Sequence, residues 1–178
     1  MSDPFSQAEV EAALAETRER VSSFFAGLSS QQFTQGNAET WSPAHHLHHL
    51  TISNQPVAYA LSLPRDRLPA RDAAQPSRSY ADIRAFYREV LTTGVKASGR
   101  FLPDPQGTQA ELITHYRGSI DLLDHDLTAY WNDVDLDAFT LAHPVLGPLS
   151  VREMLLFTLY HNAHHLAGVQ NRTQMENA

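Results

Sequence analysis

Four times in this chain a serine or threonine three residues ahead of an acid is followed by apolar residues spaced by threes and fours. The pairs are Ser6 with Glu9, Ser79 with Asp82, Thr108 with Glu111 and Ser150 with Glu153. This is capping-box spacing, in which two side chains satisfy backbone N–H groups that the first helical turn leaves without partners. A fifth start is marked by Ser42 and Pro43, because proline at the first helical position lacks an N–H that would have no use there. With strand-like alternation almost absent, these starts predict an all-α chain: an up-and-down four-helix bundle with an additional short helix and long crossover connections.

The first helix is expected from Gln7 to about Leu28, on Val10, Leu14, Thr17, Val21, Phe24, Phe25 and Leu28, with Gly27 near its end. Residues 29–41 read as polar and irregular, ending in Glu39, Thr40 and Trp41. The second helix is expected from Pro43 to about Leu63, and Pro56 within it predicts a kink or an earlier stop. Residues 64–78 carry three prolines and read as a surface connection. A shorter helix follows over Tyr80–Thr93, then an irregular crossover at 101–105. The next long helix opens at Thr108 and runs to Trp131. Residues 132–149 read as a connection, and the last helix runs from Ser150 to about Asn171, with Leu149 and Met154 placed as a hydrophobic staple and a frayed polar tail behind. At 178 residues and 42% hydrophobic content, one domain over 1–178 is the expectation.

Charge and composition narrow the chemistry. A formal net charge of −7 speaks against nucleic acid as a partner, and the cluster Arg65, Arg67, Arg71 and Arg78 is diluted by Asp66 and Asp72. With no cysteine, disulfides, thiolate metal sites and cysteine nucleophiles are excluded within the chain. No apolar run reaches the roughly 18 residues that a membrane span requires. The opening residues lack a basic stretch followed by an apolar one, so a cytoplasmic location is expected.

Ten histidines remain to be explained. His161 and His165 are four residues apart on one helix, about 6 Å of rise, so both rings can reach a common ion. Neutral imidazole suits zinc, nickel or iron. The second helix carries His45, His46, His48 and His49 and is apolar on two sides, so His49 need not face water. Two helices turning imidazoles inward can form a three-nitrogen site with an open coordination position. The alternatives are a chelating surface patch at 45–49, or imidazoles bonded to carbonyls in a metal-free bundle. His115 and His125 are too far apart in helical phase to form a site, and His143, before Pro144, reads as a turn residue.

The segments TWSPAHHLHHL at 40–50 and HPVLGPLSVREMLLFTLYHNAHHLAGVQ at 143–170 together resemble the DinB-like superfamily of metal-dependent enzymes. The matching positions are Trp41, Ser42, His49, Gly147, Leu149, Glu153, His161 and His165, while residues 64–107 contribute nothing to the pattern. The resemblance implies a four-helix bundle, commonly dimeric, whose divalent ion is held by His49, His161 and His165 and open to solvent. Zinc or nickel is the expected metal, with iron or manganese as alternatives. It implies a small-molecule substrate and neither nucleic-acid nor membrane binding. Relatives of this type include S-transferases using bacillithiol or mycothiol and a mycothiol-dependent maleylpyruvate isomerase. The expectation is therefore a transferase or isomerase using a low-molecular-weight thiol; a metal-dependent hydrolase and a non-catalytic metal- or ligand-binding bundle are the rivals.

Within that expectation, water fills the remaining coordination position, and the ion lowers its pKa or activates an incoming thiol. His45, one turn before His49, competes as a ligand. His164 is a proton-shuttle candidate or a rim residue. Glu153 and Asp126 are acid/base candidates or supports for the ligands, with a helix cap as the alternative for Glu153 and a solvated helix face for Asp126 and Asp124. Trp41, Tyr59, Phe157 and Tyr160 line an apolar pocket or belong to the core.

Overall fold

A computed structural model describes residues 6–36, 40–72 and 74–176. The capping signals act as the sequence predicts. Helix α1 spans Gln7–Ala26, α4 spans Tyr80–Thr92 and α5 spans Gln109–Trp131, each headed by its reciprocal capping box. Helix α3, Pro43–Leu61, starts at Ser42, whose hydroxyl accepts the His45 N–H, and runs on through Pro56. Helix α6, Val151–Glu176, starts where Glu153 accepts the Ser150 N–H and Ser150 Oγ accepts the Glu153 N–H. It continues five residues past the expected end at Asn171. Glu39 and the last two residues of the expected frayed tail lie outside the described residues.

Two stretches expected to be irregular hold secondary structure. Residues Ser30–Thr34 form a short helix, α2, capped by Ser29 with Gln32 in the role an acid plays elsewhere. The connection after α5 contains an antiparallel hairpin, β1 at Thr140–His143 and β2 at Gly147–Ser150, in the register Leu141 opposite Leu149. His143 Nδ1 accepts the N–H groups of Val145 and Leu146 at the tip, and Gly147 leaves the turn at φ +74°, a conformation that favours glycine. The proline-rich connection is stitched to this hairpin: Ala70 bridges Phe139, and the Thr140 N–H donates to Pro69 O at 2.9 Å.

Helices α1 and α3 each pack against both α5 and α6, so the order around the bundle is α1, α5, α3, α6. The expected four-helix bundle is what the chain forms, with α4 laid on the outside of α6. The core is built from Val10, Leu14, Val21 and Phe25, Leu47, Leu50 and Leu61, Tyr116, Leu123 and Trp131, and Leu155, Leu159 and Val169. Every residue of α6 from 151 to 159 is buried, because the hairpin and α4 cover the side that the bundle leaves open.

One closed polar chain crosses this core. The Tyr116 hydroxyl donates to Asn162 Oδ1 (2.9 Å), Asn162 Nδ2 donates to Asn54 Oδ1 (3.2 Å), Asn54 Nδ2 donates to Ser119 Oγ (3.1 Å), and Ser119 Oγ donates to Tyr116 O (2.7 Å). Asn162 is wholly buried, so its bonds to Asn54 and Tyr116 fix how α6 is rotated against α3 and α5. No helix among the described residues is long and apolar enough to cross a membrane.

Candidate metal centre

That rotation turns His161 inward, and the four-residue step brings His165 to the same face. His49, one turn beyond His45 on α3, meets them. His49 Nε2 lies 3.2 Å from His161 Nε2, and His165 Nε2 lies 3.1 Å from His161 Nε2. All three rings offer nitrogens within 4.8 Å of one another. Nitrogens bound to one zinc ion at about 2.0–2.1 Å in tetrahedral geometry stand roughly 3.3 Å apart, so the spacing suits a single ion.

Hydrogen placement argues the same way. His49 Nδ1 lies 2.8 Å from the Phe101 carbonyl, which can only accept, so Nδ1 carries the hydrogen and Nε2 the lone pair. On the other side, Arg172 Nη2, which can only donate, lies 2.7 Å from His46 Nε2. A neutral His46 must then carry its hydrogen on Nδ1 and donate it to His165 Nδ1 at 2.8 Å. His165 is left with its hydrogen on Nε2. Now His161 Nε2 cannot serve both neighbours. Unprotonated, it accepts from His165 but faces a lone pair on His49; protonated, it donates to His49 but faces a hydrogen on His165. Burial opposes the remedy of an extra proton, since it lowers His161 and His165 well below the ordinary imidazole value, with neighbouring histidines adding to the effect, and lowers His49 as well. A divalent cation that displaced the His165 Nε2 hydrogen would have three ring lone pairs directed at it and would remove the mismatch, so the residues present fit a metal ion.

Trp41 packs over the cluster, stacked at 16° on His165 and 5.0 Å from the His49 ring, and its carbonyl accepts from Arg172. The cluster forms part of the wall of a cavity of about 920 Å³ that runs along α3 between the 3₁₀ turn at Gly99–Phe101, the hairpin and α6. This volume falls within the range of small-molecule sites.

The other expected site residues divide. His164 lines the cavity, half-buried, with its ring against Tyr87 and His165; burial first, then Arg88, lowers its pKa. His45 does not compete with His49: its Nδ1 sits 2.7 Å from Ser42 Oγ, and it lines a separate, smaller cavity beside α2. Glu153 lies at the head of α6, away from the cavity wall, with Oε1 accepting from Arg78 N and Nε and Oε2 from Arg78 Nη2 and Ser150 N. These bonds hold its carboxyl below the usual range against the opposing effect of burial. Asp126 is not on a solvated face: it is buried on α5, with His125 Nδ1 3.0 Å away, and it does not line the cavity. Trp41 and Phe157 line the cavity, whereas Tyr59 is 67% exposed and Tyr160 packs on Tyr80 and Tyr87 outside it. Arg71 and Arg78 pair with Glu153, and Arg65 donates to Tyr130 O, so three members of the basic cluster have internal partners.

Sequence reasoning missed the supports of the centre. His46 was visible as one of four clustered histidines, and Arg172 stands seven residues, two turns, beyond His165. The Phe101 carbonyl has no side-chain signature at all.

Among solved structures, the crystal structure of TT2238, described as a four-helix bundle protein, matches with a TM-score of 0.57 at 15% identity. The match covers 93% of this chain and 99% of that one, and at this identity what is shared is the fold. No curated protein is detectably similar in sequence. The DinB superfamily matches residues 13–168, a span that takes in α3 and α5, most of α1 and α6, and all three clustered histidines. The chain belongs to the DinB superfamily.

Proposed function

We propose that this protein is a divalent-metal-dependent enzyme in which His49, His161 and His165 hold the ion, and that it transfers or isomerises a small organic substrate with the help of a low-molecular-weight thiol. The observation that carries the reading is the convergence of three imidazole nitrogens on one point of a cavity wall, with a hydrogen-bond mismatch that a cation relieves. A divalent ion there supplies Lewis acidity, which lowers the pKa of a coordinated thiol or water. The chain's own part is to present the nitrogens and to keep bulk water from them. The Phe101 carbonyl holds the His49 ring, and the His46–Arg172 pair holds His165. Trp41 and Phe157, stacked on His165 and His161, close the flanks. His164 stands at the same wall with no hydrogen-bond partner among the described residues, available to carry a proton to or from a bound thiol. The lack of cysteine means that any thiol in the reaction comes from a cosubstrate.

Elemental analysis of untagged protein tests the reading, with the His161→Ala variant beside it. About one divalent ion per chain, lost in the variant, is expected for an open three-ligand site. Absence of metal from both proteins after reconstitution with zinc, nickel, iron and manganese would overturn it. Turnover that needs no added thiol would leave the centre standing and move the reaction class to metal-assisted hydrolysis.

A further inference from the structure

The cavity has a charge pattern opposite to that of the molecule. The chain carries a net charge of −7, yet among the described residues no aspartate or glutamate lines this space, while Lys96, Arg100 and Arg172 do. Arg172 is engaged with Trp41 and His46. Lys96 and Arg100 are different: both are exposed, neither has a carboxylate partner among the described residues, and Arg100 lies over the Phe101 ring at 5.0 Å. By contrast, Arg65, Arg71, Arg78 and Arg172 have each found an acid, a carbonyl or an imidazole. In an acidic protein, two unpaired cations at the mouth of a cavity create a local field that gathers anions.

Behind them the walls are apolar. Val57, Leu63, Leu91, Leu141, Met154 and Phe157 line the space. It follows α3 from His49 to Ala60, a length of about 16 Å at the helical rise of about 1.5 Å per residue. Arg100 is next to Phe101, whose carbonyl orients His49, so this cation and the three-histidine cluster lie at the same end, with Lys96 four residues before it in the chain.

We propose that the cavity binds an elongated amphipathic organic anion, its charged group held by Lys96 and Arg100 beside the histidine cluster and its hydrocarbon body lying along α3. The proposal names the substrate class for the metal-dependent reading above and rests on it only for the claim that the bound anion reacts; binding stands on the cavity alone. A small polar anion would leave the apolar walls wet, and a neutral or cationic amphiphile would leave the two cations uncompensated.

Titration calorimetry with decanoate, below its micellar concentration and at pH 7.5, tests this on metal-free and zinc-loaded protein. Decyltrimethylammonium, of the same chain length and opposite charge, and acetate, with the charge but no chain, serve as controls. Decanoate is expected to bind the metal-free protein, with both controls weaker by at least about tenfold. The double variant Lys96→Gln/Arg100→Gln, changed only at exposed positions, is expected to lose about tenfold in decanoate affinity while keeping its zinc content. Equal binding of the two amphiphiles, or decanoate binding that the double variant leaves unchanged, would overturn the proposal. Decanoate binding by a protein that takes up no metal would sink the metal-dependent reading and leave the cavity assignment intact; zinc uptake without decanoate binding would do the reverse.

Discussion

At the scale of single residues, the consequential contact is the one between Arg172 and His46. Because a guanidinium only donates, it dictates which nitrogen of His46 bears hydrogen, and through that ring it dictates the same for His165. The hydrogen ends on His165 Nε2, the nitrogen that faces the cluster. Zinc binding at pH 8, where the buried rings are neutral, should therefore release about one proton more from the wild-type protein than from Arg172→Leu, in which His46 is free to accept from His165 Nδ1. Calorimetry in HEPES and Tris, whose ionisation enthalpies differ, measures this; equal release from both proteins would show that Arg172 does not set the hydrogen order. The histidine pair on α6 was legible in sequence because ligand spacing along one helix is a local pattern. Arg172 was not, since its partners lie 126 and 131 residues away and nothing in a linear pattern joins them.

At the scale of elements, the head of α6 depends on Glu153. Its carboxylate caps the helix through Ser150 and ties the proline-rich connection to it through Arg78. Glu153→Ala should lower stability by about 3 kcal/mol, seen as a reduced urea midpoint, because it removes a cap and leaves the Arg78 guanidinium without its partner. Zinc stoichiometry should stay at the wild-type value. Loss of turnover at native stability would instead assign Glu153 to the chemistry. Asn162→Ala, which strands the Tyr116 hydroxyl and Asn54 Oδ1, should cost at least about 2 kcal/mol in the same assay and also weaken zinc binding, since Asn162 sets the rotation that presents His161. The long helices were readable because cap and period agree over many turns. The hairpin was not: each strand has four residues, Pro144, Gly147 and Pro148 interrupt any alternation, and its stability comes from packing on α6 and pairing with residues 69–71. Helix α2 escaped because five residues give too little periodicity to detect.

For the molecule as a whole, the histidines couple stability to acidity. Burial is the leading cause that lowers His49, His161, His164 and His165, brings His143 down to about 4 and, with Arg172 assisting, brings His46 down to about 3. Each ring is harder to protonate folded than unfolded, so the unfolded chain takes up protons first as pH falls. The stability these groups contribute is complete above the ordinary histidine value of about 6.5 and is lost as pH drops from there toward the folded values. The urea midpoint of metal-free protein should accordingly be lower at pH 5 than at pH 7.5; an unchanged or higher midpoint at pH 5 would contradict the burial of these rings.

The 3₁₀ turn at Gly99–Phe101 holds two assignments on one short piece of chain. Its backbone, through the Phe101 carbonyl, steadies His49, while its side chain at Arg100 faces whatever enters the cavity. A main-chain oxygen survives almost any amino-acid replacement that keeps the turn. Evolution can thus rewrite residue 100, and with it the range of molecules admitted, without disturbing the neighbouring histidine. Orthologues and paralogues could diverge in what they accept through changes at one turn while inheriting the same reactive centre.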